Sequence, residues 1–98
     1  MHARVITAHS TPSRVEQSAA IYESSVIPEV QKFKGFRSAL LLIDPKSGRA
    51  LSVVLWDTEA DMLASEKSDY LRRQIAKFGA IFDASPEVEH YEVRCLAD

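Results

Sequence analysis

Residues 35–57 read GFRSALLLIDPKSGRALSVVLWD, and this stretch decides the fold. Two apolar runs flank Asp44-Pro45-Lys46-Ser47-Gly48. Proline presets φ and glycine permits a positive φ, so the middle reads as a turn between two strands. Side chains alternate across a strand. On the first strand Phe36, Leu40 and Leu42 therefore point one way, and Ala39, Leu41 and Ile43 the other. On the second, Leu51, Val53 and Leu55 oppose Ala50, Val54 and Trp56. A sheet with one solvated face alternates apolar and polar residues. This hairpin is apolar on both faces, and a chain of 98 residues has little left to cover two. One face is expected to meet the chain's own helices and the other a second copy of the chain.

The flanking segments complete the pattern. Val5, Thr7 and His9 alternate with Arg4, Ile6 and Ala8 as a first strand. Thr11-Pro12 opens a helix, with Thr as N-cap and Pro at the first helical position. Val15, Ala19, Tyr22, Val26 and Phe33 fall at helical spacing. Pro28 interrupts this stripe, which predicts a kink or restart near Ile27. Gly35 closes the segment. After the hairpin, Thr58 and Asp61 have the spacing of a capping box. Ser68-Asp69 marks a break into a further helix with a Leu71, Ile75, Phe78, Phe82 stripe. A last strand is expected over Glu87 to Leu96, with Tyr91, Val93 and Cys95 on one face. The order β-α-β-β-α-β predicts one α+β domain over residues 1–98. It is the ferredoxin-like arrangement, a four-stranded antiparallel sheet with helices on one face. Two such sheets stacked by their open faces would form a symmetric homodimer.

Composition narrows the function classes. The net charge is −2 with dispersed basic residues, and Arg72-Arg73 is the one basic pair, so a nucleic-acid partner is not expected. The longest apolar run, Ala39 to Ile43, is too short for a bilayer. No basic segment leads into an apolar run at the N-terminus, so no secretory leader is expected. Cys95 is the single cysteine and cannot form an intrachain disulfide, which makes a cytoplasmic location the expectation. Within a strand it reads as a buried structural thiol. The histidines at 2, 9 and 90 lack metal-ligand spacing, and CxxC, GxSxG and a glycine-rich phosphate loop are absent, so no metal or cofactor is expected.

The chain resembles the antibiotic biosynthesis monooxygenase family of the dimeric α+β barrel superfamily. The resemblance spans nearly the whole chain: Pro28 late in the first helix, Gly35-Phe36 opening strand two, and Val54-Leu55-Trp56-Asp57-Thr58-Glu59-Ala60 at the strand-to-helix passage. Ser68 and the closing Pro86-Glu87-Val88-Glu89-His90-Tyr91-Glu92-Val93 complete it. It implies a dimeric α/β barrel and a cofactor-independent monooxygenase acting on a small planar aromatic or quinol-type metabolite. The family's haem-degrading branch uses a strand-one Asn and a Trp and His on the second helix. Thr7, Ser65 and Ile75 stand here instead.

Oxygenation without a cofactor needs a base, a stabiliser for the substrate anion and a water-poor pocket. His9 and His90 are the candidate catalytic bases, since imidazole titrates near neutrality. Trp56 offers a stacking wall, Tyr91 and Tyr22 offer hydroxyls, and Arg37 can neutralise an anionic ligand. These four are the candidate substrate-binding residues. The same residues admit two other readings: a non-catalytic ligand-binding or assembly module, and a small-carbonyl isomerase using His90 or His9.

Overall fold

The computed structural model describes residues 1–97. Strand β1 (His2–His9) leads through a 3₁₀ turn (Pro12–Arg14) into helix α1 (Val15–Ile21). A π-helical turn (Tyr22–Val26) joins α1 to α2 (Ile27–Val30). Strands β2 (Phe36–Ile43) and β3 (Arg49–Trp56) form the hairpin, followed by α3 (Glu59–Lys67), α4 (Tyr70–Ala76) and β4 (Glu87–Glu92). The sheet order is β2-β3-β1-β4 and every pairing is antiparallel. This is the ferredoxin-like α+β architecture, with the helices on one face.

Pro28 explains the π turn. In a regular helix its ring would clash with the carbonyl four residues earlier. The wider turn closes instead through the Ile27 N–H to the Tyr22 carbonyl, and a new helical segment starts at Ile27. The break at Ser68-Asp69 also occurs, with Asp69 preceding α4. Thr58 caps α3 by accepting the Asp61 N–H at 3.1 Å. Thr11 departs from expectation: its hydroxyl donates to the Ile81 carbonyl at 3.3 Å and does not cap the turn that follows it.

The core lies between the helices and the sheet. Val30, Val54, Trp56, Met62 and Tyr70 form its main cluster. Trp56 is fully buried. An aromatic of this size buries roughly 150–250 Å², worth on the order of 4–6 kcal/mol at about 25 cal/mol per Å². Phe36 and Phe33 meet its ring edge-on, each with centroids 6.3 Å away.

Four further expectations are corrected. Phe36 does not share a face with Leu40 and Leu42. An irregularity between Phe36 and Ser38 shifts the register, pairs Phe36 with Trp56 and turns it to the core. The last strand ends at Glu92: its neighbour among the described residues is β1, where His2 pairs with Glu92, and Val93 N–H reaches the Met1 carbonyl beyond that pair. Cys95 therefore lies beyond the sheet and is exposed. The buried edge of α4 is Tyr70 and Gln74, while Leu71 and Ile75 are half-buried beside it.

Gly35 and Gly48 both have positive φ, 83° and 84°. A Cβ on Gly48 would stand 1.9 Å from the Ser10 backbone carbonyl, whereas one on Gly35 would meet only the Asp61 side chain. Backbone at Ser10 cannot yield, because its N–H is bonded to the Gly48 carbonyl at 2.8 Å. Gly48→Ala is expected to lower stability in urea unfolding by about 1–3 kcal/mol, and by more than Gly35→Ala.

Candidate functional site

A cavity of about 60 Å³ lies between the sheet and the helices. It exists because the facing surfaces carry small residues: Ala8 and Ser10 from the β1 end, Ala50 and Ser52 from β3, and Ser18 from α1. Tyr22, Tyr70, Gln74 and Phe78 close over them without filling the space. Most of the lining is apolar, with Ile6, Leu41, Val54 and Leu71 among its walls.

The polar groups in this lining are few and mostly engaged. The Tyr22 hydroxyl lies 2.8 Å from Ser52 Oγ and 3.3 Å from the Leu40 carbonyl. Ser10 and Ser18 share a hydrogen bond of 2.8 Å. Gln74 donates to Glu29 at 2.7 Å and accepts from Ser25 at 3.1 Å, which ties α4 to the π turn and α2. Burial raises the Tyr22 pKa, opposed by its Ser52 hydrogen bond and the Arg4 charge. Burial likewise pushes Tyr70 up to about 12. Both phenols therefore remain protonated at neutral pH and act there as hydrogen-bonding groups, not as bases.

Arg4 is the buried cation of the site, 1% exposed. Its Nη1 donates to Ser65 Oγ at 2.7 Å and to Glu66 Oε2 at 3.3 Å. Its guanidinium carbon lies 5.2 Å from the centre of the Trp56 ring. Glu66 Oε2 also lies 2.8 Å from His90 Nε2, so a chain of contacts runs from the exposed His90 through Glu66 to Arg4.

The candidates from the sequence scatter around this centre. Tyr22 lines the cavity. His90 does not, but it reaches Arg4 through Glu66. Trp56 is packed beneath Arg4 in the core, without access to the cavity. Tyr91, a candidate for substrate binding, points away from the helices. It pairs with Ala3, next to the Arg4–His90 pair, so it faces the open side of the sheet and is 50% exposed. His9 is bonded to Asp83 at 2.7 Å at the far end of β1. Arg37 sits at the strand irregularity, exposed, 3.2 Å from Asp57. The sequence reading passed over Arg4, Ser52, Tyr70 and Gln74. Arg4 had a signal: it shares a strand face with Ile6 and Ala8, where a cation must be buried or the face solvated.

An open groove of about 570 Å³ adjoins the cavity outside, along α1, the π turn and β2. Tyr22 and Leu41 line both spaces and form the wall between them. No cluster of three metal-ligating side chains occurs among the described residues, and no helix there is long and apolar enough to cross a membrane.

Comparison with solved structures places the fold. A structure named antibiotic biosynthesis monooxygenase matches 95% of this chain and 98% of its own, with a TM-score of 0.74 and 13% identity. A protein of unknown function from Nitrosomonas europaea matches 98% of this chain and 91% of its own, with a TM-score of 0.78 and 15% identity. A conserved protein from Methanosarcina mazei Go1 matches 93% and 91%, at 0.75 and 17%. The chain shares the ferredoxin-like α+β fold of these structures. At these identities the likeness is one of fold. No family model matches the sequence. An uncharacterized protein of Mycobacterium tuberculosis is 44% identical over 45 residues, which is 46% of this chain and one fifth (20%) of that protein's length.

The raised Tyr70 pKa sets a direction for alkaline stability. The folded group holds its proton to about 12, while the unfolded group loses it near the ordinary tyrosine value of 10.0. The folded state thus binds more protons in that window, and its stability falls as pH rises through it. Tyr70→Phe is expected to flatten this fall between pH 10 and 12 in urea titrations. An unchanged slope would place the Tyr70 hydroxyl in contact with solvent.

Proposed function

We propose that this chain is a monooxygenase-like protein that binds a small planar aromatic or quinol-type metabolite in the helix–sheet cavity and oxygenates it without a cofactor. The observation that carries the reading is the mainly apolar cavity between sheet and helices, with two tyrosines in its wall. Such a pocket excludes water from a reactive carbanion or phenolate. The fold shared with structures named as monooxygenases supports it. In the simplest case a ring CH₂ and O₂ become C=O and H₂O, the substrate supplying all the electrons. An apolar cavity of roughly 150 Å³ admits benzene. At about 60 Å³ this cavity requires its Tyr22–Leu41 wall to yield before a ring enters from the groove.

A second reading, a non-catalytic ligand-binding module, is favoured by one specific observation. Neither His9 nor His90 lines the cavity, and each is engaged with a carboxylate outside it. The isomerase reading, which needs one of them as base, lacks support on the same ground. Aerobic incubation with anthrone-type phenols and hydroquinones separates the first two. The oxygenase reading predicts oxygen uptake above the protein-free rate, lost in Ala50→Leu, which fills the cavity. Binding without uptake across the panel would favour the module.

The open sheet face supports assembly as a homodimer. Leu40, Leu42 and Tyr91 are 41%, 48% and 50% exposed on it, and a second copy of the same sheet would cover them. Light scattering is expected to give twice the 11.0 kDa chain mass; a species of single-chain mass at micromolar concentration would contradict this. A cytoplasmic setting, free of nucleic-acid and membrane partners, fits the lone exposed thiol of Cys95.

A further inference from the structure

We propose that the cavity recognises an oxyanion on its ligand, a carboxylate or a phenolate, through Arg4. This rests on the cavity being the ligand site. Arg4 lines the cavity while remaining 1% exposed. A guanidinium carries five N–H donors and favours forked pairing with a carboxylate. Here both hydrogen bonds leave from Nη1, and Nε is sealed from solvent without a partner. Glu66 meets it from one side only, at 3.3 Å, longer than the roughly 2.7–2.9 Å of a tight charge-assisted bond.

The rest of the wall has the same polarity. Among the described residues no Asp or Glu lines the cavity; Glu66 lies behind Arg4 and Glu29 behind Gln74. The Tyr22 and Tyr70 hydroxyls are held protonated by burial. The space thus presents a cation to its contents, and the charge it lacks is negative.

Benzoate and benzamide test this, being planar, equal in shape and different in charge. Trp56 is the chain's single tryptophan and lies against Arg4, so its fluorescence reports binding, with calorimetry as a second measure. Benzoate is expected to bind at least about tenfold more tightly than benzamide. Arg4→Gln should remove that preference. Glu66→Gln, which frees Arg4 from its internal carboxylate, should tighten benzoate roughly threefold or more and leave benzamide unchanged. The Glu66→Gln result stands even if Arg4→Gln fails to fold. Equal affinity for the two ligands, no binding of either, or a benzoate affinity indifferent to Glu66→Gln would overturn the proposal. Equal binding that Ala50→Leu abolishes keeps the cavity as the site and removes the oxyanion. Binding that survives Ala50→Leu removes the cavity reading itself.

Discussion

A guanidinium sealed beneath the helices is the interaction on which this structure turns. Moving a charge out of water costs several kcal/mol per ion unless partners compensate. Arg4 obtains them from three other elements. Ser65 and Glu66 come from α3, the Trp56 ring from β3, and His90 on β4 backs Glu66. The requirement therefore specifies where α3 sits on the sheet and which face of β4 turns inward. Removing one partner of such a buried pair typically costs about 3–5 kcal/mol, because the other charge is left uncompensated. The opposite side of the helical layer is held differently. There Tyr22, Val26 and Phe78 cluster with Ile21, Ile27, Leu41 and Phe82, and burial of apolar area dominates.

The cavity lies where these two regimes meet. Small residues on β1 and β3 leave space, and the π turn brings Tyr22 over it. The π turn itself follows from Pro28, so a backbone constraint six residues away fixes a cavity-wall hydroxyl against Ser52. The same turn carries Ser25, which binds Gln74 on α4. Opening the wall for a ligand would move a segment whose hydrogen bonding is already irregular, an easier change than melting a regular helix.

Much of this fold was legible in the sequence, and for identifiable reasons. The hairpin, the restart at Ile27 and the break at Ser68-Asp69 follow from local chemistry: alternation, a proline, a cap. The failures share a different cause, pairing between distant segments. Phe36 faces the core because the register shifts beside it, which simple alternation cannot reveal. Which way Tyr91 and His90 face depends on their partners on β1, which local alternation does not reveal; the pairing of His90 with Arg4 settles both. Gln74 is buried because Glu29 and Ser25, far away in sequence, satisfy its amide. The site was correspondingly less legible than the fold. Tyr22 announced itself by helical spacing, whereas Arg4 became visible only once the helix face of the sheet was known.

Arg4 lines the cavity, and its Nε has no partner there. ¹⁵N NMR of the arginine Nε–H groups reads that spare donor directly. One Nε–H signal is expected to be protected from solvent exchange and absent in Arg4→Gln, to move when benzoate is added and to stay fixed with benzamide. An Arg4 signal that exchanges as fast as those of the exposed arginines, and that ignores benzoate, would contradict it.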